Sequence, residues 1–390
     1  MILKDKFLPF SRPTIDDEMI NEVIDTMKSG WLTTGLKVEK FEKMFSEYVG
    51  HGNVVSVSTG TAALHIAIQL LELKNGDEVI TPSMTWPSAV NMIELCGGVP
   101  VFVDCELETL NVSITDVERK ITAKTKAILP VHFAGQPVDM DPLFELVKNK
   151  DIKIIEDAAH AIGSYYKGEH VGKNADFTIY SFHPNKNITT GEGGMLTIKD
   201  KNLIDVANKL KFHGVEKHAW KRFGKHVNKF TYEVVMPGYK YNMMDIQAAI
   251  GIHQLKCLDG FIEKRKVLAD RYTKMLKENE YLIPLGKVEY PIKHAWHLYI
   301  VKLDIDKTGF TRDEFMRKLG KEKIGSGLHY TAVHNHKYYK EKYEYRPEDF
   351  PNSTYCSNRI LSIPLFPLMK NDDQDFVISV INSILLDDIR

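Results

Sequence analysis

Seven short apolar runs recur between Val54 and Ile198: VVSVST, EVITPS, VPVFVDC, AILPVHFAG, IKIIED, DFTIYSF and GGMLTI. Each is of strand length, and helical stretches separate most of them. This alternation predicts an α/β fold with a seven-stranded, mostly parallel sheet covered on both faces, whose ligands bind beyond the carboxyl ends of the strands. Ahead of the runs, Met19, Val23 and Met27 recur at helical spacing and Gly30 ends the pattern. Behind them, MPGYKYNMMDIQAAIGIHQL reads as a Pro-Gly turn leading into a helix. From about Asp259 the pattern changes to a long helix (FIEKRKVLADRYTKMLKEN), a strand (HAWHLYIVKL), a helix (TRDEFMRKLG), a strand candidate in SGLHYTAVH and a closing helix ending near Leu386. The expected division is a large domain over 1–258 with an N-terminal arm, and a smaller α+β domain over 259–390.

The stretch Asp176–Ile198 carries the sharpest chemical signal. Phe177, Ile179 and Phe182 on one side, and Met195, Leu196 and Ile198 on the other, hold a polar turn that contains Lys186. Such a lysine is either an ordinary solvated hairpin residue or, when partly desolvated, an amine that loses proton affinity and becomes a nucleophile suited to Schiff-base chemistry. The neighbouring strand ends favour the second reading. Ser58-Thr59-Gly60-Thr61 precedes a helix with Leu64, Ala67, Ile68 and Leu71 on one face, so hydroxyls and free backbone amides converge there on an anion; a plain N-cap is the ordinary alternative. The segment lacks the spacing of a Walker loop. Thr85-Trp86-Pro87 brings an aromatic plate to the same edge. IKIIED ends in Asp157, a carboxylate after apolar residues that needs a cation, and a protonated pyridine nitrogen would serve. Glu156 points to the opposite face by alternation. His160 is a candidate for the cofactor's phenolic oxygen, or a satisfied core histidine. Ser181 adds a second hydroxyl. Together these segments describe a site for pyridoxal 5′-phosphate (PLP).

The motif SFHPNKNITTGEGG resembles the lysine motif of the PLP-dependent sugar aminotransferases of the DegT/DnrJ/EryC1/StrS family. The resemblance continues through SRPTIDDEMINEVIDTMKSGWLTTG, VSTGTAALHIAI, PSMTWPSAVN, EDAAHAIGS, MPGYKYNMMDIQAAIG and GSGLHYTAVH, and so spans nearly the whole chain. It implies the fold type I of PLP-dependent transferases. It implies catalytic roles for Lys186 as the Schiff-base residue and Asp157 at the ring nitrogen, with Gly60, Thr61 and Ser181 on the phosphate, Trp86 stacked on the ring and His160 at the phenolic oxygen. Thr33 in the GWLTTG loop, His329 and Tyr330 are implied to meet substrate. Lys240 and Asn228 are implied to reach the PLP phosphate of a partner subunit, which makes the unit a homodimer with composite sites. The similarity to enzymes that aminate 4-keto sugars, the 4-amino-arabinose type among them, implies L-glutamate as donor and a nucleotide-linked keto-sugar as acceptor. Asn185 departs from the family pattern, which has an apolar residue or Thr before the lysine.

Composition adds limits. At 390 residues the chain exceeds what one core holds. Lys plus Arg (51) nearly cancels Asp plus Glu (52), so no global field attracts nucleic acid or membrane. The local exception is KLKFHGVEKHAWKRFGKHVNKF, with seven Lys/Arg and one acid. Either it is a solvated face, or Lys221 and Arg222 hold the diphosphate of the substrate. No apolar run approaches the roughly 20 residues of a membrane span. Cys96, Cys105, Cys257 and Cys356 are scattered, as in a reducing compartment, and the expected location is cytoplasmic. VHNHK lacks acidic or cysteine partners at ligand spacing, so no metal is expected. The competing readings are a PLP-dependent sugar dehydratase, which has His in place of the lysine, and a PLP-sensing regulator, which needs an output module.

Overall fold

The computed structural model describes residues 6–216 and 232–387. All seven apolar runs become strands of one sheet: β1 (Val54–Val57), β2 (Glu78–Pro82), β3 (Val99–Val103), β4 (Thr125–Ile128), β5 (Lys153–Asp157), β6 (Phe177–Ser181) and β7 (Gly194–Ile198). Their order is β1-β7-β6-β5-β4-β2-β3. The pairs from β3 to β6 are parallel, and β7 is antiparallel to both β6 and β1. One strand therefore runs against the rest, and it is the one that returns from the Lys186 turn.

Residues alternating along the strands feed two cores. Ile155, Ile179 and Leu196 meet helix α1 (Gly60–Gln69) through Ala63, Ile66 and Ala67. Tyr180, Phe182 and Met195 on the other face pack on Phe41, Phe45, Ala248 and Ile252. The latter two belong to helix α2 (Asp245–Met275). This helix corrects the sequence reading. The turn-led helix and the long helix expected after Asp259 are one element, and the expected boundary at 258/259 lies inside it. Gly251 supplies close approach rather than a break: a Cβ there would sit 2.7 Å from Phe41 Cζ. The intrinsic cost of glycine in a helix, about 1 kcal/mol, is outweighed by tertiary packing.

The carboxyl-terminal part of α2 contributes Leu268, Ala269 and Tyr272 to a third core. A three-stranded antiparallel sheet of β8 (Leu282–Pro284), β9 (Tyr299–Leu303) and β10 (Ile360–Ile363) packs there, in the order β8-β9-β10. Helices α3 (Arg312–Lys321) and α4 (Asn371–Asp387) cover it with Phe315, Leu319, Phe376 and Val380. The strand candidate in SGLHYTAVH does not form. Gly327 makes a single bridge to Ser362, and the chain then crosses to the large sheet, where Val333 N–H, at the start of a 3-10 turn, bonds the Ser83 carbonyl. Tyr330 is thus aimed across at the end of β5, where its hydroxyl meets His160 Nε2, while His329 Nδ1 stays against Ser362 Oγ of β10.

Candidate active site

The carboxyl ends of β1, β2, β5 and β6 surround a cavity of about 440 Å³ lined by Gly60, Thr61, Trp86, Asp157, His160, Ser181, Lys186, His329 and Tyr330. Lys186 reaches it from a tightly held turn. Thr190 N–H and Thr189 Oγ1 both bond the Phe182 carbonyl, and Lys186 N–H bonds that of His183. Beyond the lysine, Asn187 Nδ2 bonds Ala295 O at 2.7 Å and Thr189 N–H bonds Gln254 Oε1 at 3.2 Å. The lysine is therefore fixed by groups from α2 and from the segment leading into β9. Burial pushes its amine down to about 8, against an opposing pull from Asp157.

Asp157 ends β5 almost fully buried. One carboxylate oxygen accepts Ala159 N–H at 2.9 Å, and the other has no protein partner among the described residues. Burial raises its pKa, opposed by the Ala159 amide, Lys186 and His132. Among the described residues no cation lies at ion-pair distance from this buried acid, although Lys186 acts on it from farther off. Glu156, next in line, lies on the other face, where His132 Nε2–H donates to it at 2.8 Å; His132 Nδ1 accepts Val138 N–H, which fixes the tautomer.

Thr59 caps α1 by accepting Ala62 N–H at 3.0 Å, leaving Gly60 and Thr61 at the open helix end. A Cβ on Gly60 would lie 2.9 Å from Ser181 Cβ. One on Gly194, the residue paired with Ser181, would lie 2.5 Å from Thr59 O. The missing side chains let a helix N-terminus and the Ser181 hydroxyl share one concave corner, which is a cradle for an anion. Trp86 stands at the rim, 61% exposed, its ring 5.7 Å from that of Tyr330.

Other expected residues lie elsewhere. Thr33 is exposed and outside the cavity; its loop is tied to the segment before α2 by Thr34, which bonds Met243 O and Asn242, and to the start of α2 by Asp245, which accepts Gly35 and Val38 N–H. Lys240 is exposed, its ammonium 4.1 Å above the Phe212 ring. Asn228, Lys221 and Arg222 lie outside the described residues. The cavity also holds residues to which the sequence reading assigned no site role: Thr85, Ser88, His183, Asn185, Glu192 and Leu328. His183, Asn185 and Glu192 lie within the quoted lysine motif, so their nearness to Lys186 was the available signal. VHNHK is a packing segment, in which His334 Nε2 meets Thr354 Oγ1 at 3.0 Å and its Nδ1 faces Ser83 Oγ.

A parallel-dominated sheet with an amine, an unpaired carboxylate and an anion cradle at its carboxyl edge defines a PLP-dependent transferase of fold type I. The chain belongs to the DegT/DnrJ/EryC1/StrS aminotransferase family, whose model matches residues 13–382. It is 43% identical over 383 residues to the spore coat polysaccharide biosynthesis protein SpsC of Bacillus subtilis, covering 98% of each chain. Among solved structures, the PLP form of the putative sugar aminotransferase Spr1654 from Streptococcus pneumoniae superposes with a TM-score of 0.89 at 32% identity, covering 98% of this chain and 100% of that one. Helicobacter pylori PseC, an aminotransferase of pseudoaminic acid biosynthesis, gives 0.89 at 26% identity, covering 97% and 99%. The cofactor is PLP, and the chain is a sugar aminotransferase by family. Among the described residues no helix is long and apolar enough to cross a membrane.

Proposed function

We propose that this enzyme moves the amino group of L-glutamate to a nucleotide-linked 4-keto sugar, yielding a 4-amino sugar for a cell-surface polysaccharide or related glycan. The observation that supports PLP chemistry here is the convergence of three unlike groups on one cavity, the Lys186 amine, the unpaired oxygen of Asp157 and the Gly60–Ser181 corner, while the sugar class follows from the family and its polysaccharide-synthesis relatives. The three groups match the three attachment points of PLP. Gly60, Thr61 and Ser181 would hold its phosphate, Asp157 its ring nitrogen and Lys186 its aldehyde carbon, with Trp86 against the ring. When bound, the cofactor supplies an electron sink for the carbon that loses its proton.

The chain's own residues do the rest. Lys186 would take the proton from the donor's α-carbon and return it, and its lowered pKa suits both directions of transfer. Asp157 would hold a proton on the ring nitrogen, and that positive charge would relieve the cost of the buried carboxylate. Ser181→Ala should raise the Kd for PLP about tenfold, as expected for one hydrogen bond to a charged group, measured by titrating the apoprotein with PLP.

The functional unit is a homodimer. Ile20, Ile24 and Met27 are exposed along one helix (Asp17–Lys28), beside a groove formed with Ile15 and Ile250, and a second copy covers this face. Lys240 and Asn228 then serve the phosphate corner of the partner's site, and Thr33 its substrate. The four free cysteines suit a cytoplasmic enzyme. Lys221 and Arg222 hold the substrate's diphosphate. Their double replacement by Ala should raise KM for a nucleotide-linked sugar about 10- to 100-fold, as for lost charge-assisted hydrogen bonds, with kcat for the glutamate half-reaction unchanged. An unchanged KM would remove the diphosphate assignment.

A further inference from the structure

We propose that Tyr330, not His160, donates the hydrogen bond to the negatively charged oxygen of the bound cofactor, and that His160 is the positioning residue that aims it. The inference rests on the PLP reading above and deepens it. Its basis is a count of donors and acceptors. His160 Nδ1 lies 3.3 Å from the backbone N–H of Ala134, a group that only donates, so Nδ1 is an acceptor. The proton of the neutral ring is then on Nε2, which stands 2.7 Å from the Tyr330 hydroxyl. Tyr330 oxygen accepts that proton, and both nitrogens of His160 are thereby engaged. The one proton left over in the chain is the phenolic proton of Tyr330, and the tyrosine lines the cavity. Ala134 N–H, His160 and Tyr330 form a one-way series in which each donor polarises the next.

The surroundings hold this arrangement. The His160 and Tyr330 rings lie within 25° of parallel at 5.9 Å, Phe133 presents an edge to each at 6.3 and 6.1 Å, and His297 packs 4.3 Å from the His160 ring. The other titratable groups facing the pair are Asp157 from β5, Lys186 from its turn and His329 from the adjoining peptide. Burial, reinforced by Lys186 and His329, drives the His160 pKa well below the ordinary imidazole value, and burial with the Asp157 charge drives the Tyr330 pKa up. Both stay neutral, so the series is a fixed donor and does not itself exchange protons with solvent.

The identity of the acceptor follows from ring connectivity. With the nitrogen at Asp157, the aldehyde carbon at Lys186 and the phosphate at Gly60 and Ser181, the remaining polar substituent is the phenolic oxygen. It is carried on the ring edge between nitrogen and aldehyde carbon, opposite the phosphate. The series from Ala134 supplies the donor for that edge.

The test is the pH midpoint of the absorbance change of the PLP-loaded protein, which reports protonation of the Lys186–cofactor linkage. Removing a donor from the phenolic oxygen concentrates negative charge beside the linkage nitrogen and favours its protonation. Tyr330→Phe should therefore raise the midpoint by about one pH unit, and His160→Leu should raise it as well, by releasing Tyr330. The Kd for PLP, measured on the apoproteins, should rise in both. A shift in His160→Leu with none in Tyr330→Phe would overturn the proposal in favour of direct contact by His160. Weaker keto-sugar binding with an unmoved midpoint would overturn it in favour of a substrate contact. Failure of the PLP reading itself is a separate result: no visible band in the wild-type protein.

Discussion

Replacing Lys186 with alanine is expected to lower kcat by more than about 10⁴-fold, because one side chain supplies both the nucleophile and the proton carrier. Among the described residues lining the cavity it is the only primary amine, so no neighbour can substitute. The variant should still bind PLP through the Gly60–Ser181 corner, separating lost chemistry from a lost site. Its turn is fixed by backbone groups and by Asn187 and Thr189 rather than by the lysine itself, so the fold should survive. The wild-type amine has a matching pH signature. With its pKa near 8, about a tenth of it is unprotonated at pH 7, against less than about a thousandth at the ordinary lysine value. Capture of PLP by the apoprotein should accelerate as pH rises from 6 and level off above about 8. Steady-state kinetics of the variant and stopped-flow capture by the wild type check the two statements.

Asp157→Asn is expected to slow the glutamate half-reaction on the order of 10³-fold. An amide keeps the shape and the bond to Ala159 N–H but carries no charge to hold the ring nitrogen protonated. The electron sink is then lost while PLP stays bound, so kcat should fall much more than Kd for PLP rises. Single-turnover rates beside a PLP titration separate the two quantities. Equal losses in both would mean that Asp157 acts only as an anchor.

Much of the cavity was legible from the chain because its parts are strand ends. A strand with a known end delivers its next residue to a known edge, which brings Gly60, Trp86, Asp157, Ser181 and Lys186 to one edge of the sheet. The same logic sent Glu156 to the far face, where it meets His132. What was not legible depends on packing between distant segments. Nothing local joins His160 to a hydroxyl 170 residues later. The SGLHYTAVH segment has strand-like composition, yet beyond Gly327 none of its described residues joins a strand ladder, and its end turns into a 3-10 turn over Val333–Asn335. The sequence pattern divides the continuous helix Asp245–Met275 near Asp259, yet the chain stays helical through that point, and Gly251 within it is where the ring of Phe41 fits. Thr33 and Lys240 are exposed and do not line the cavity of their own chain, and the roles proposed for them would need a second copy, which a single chain's pattern cannot express.

The most direct measurement is the absorbance of the PLP-loaded enzyme, first with L-glutamate and then with a nucleotide-linked 4-keto sugar. The account predicts that glutamate removes the yellow band, that the keto-sugar restores it in proportion to the amount added, and that an amino-sugar of the corresponding mass appears. A band that glutamate leaves untouched, or that no nucleotide keto-sugar restores, would contradict it.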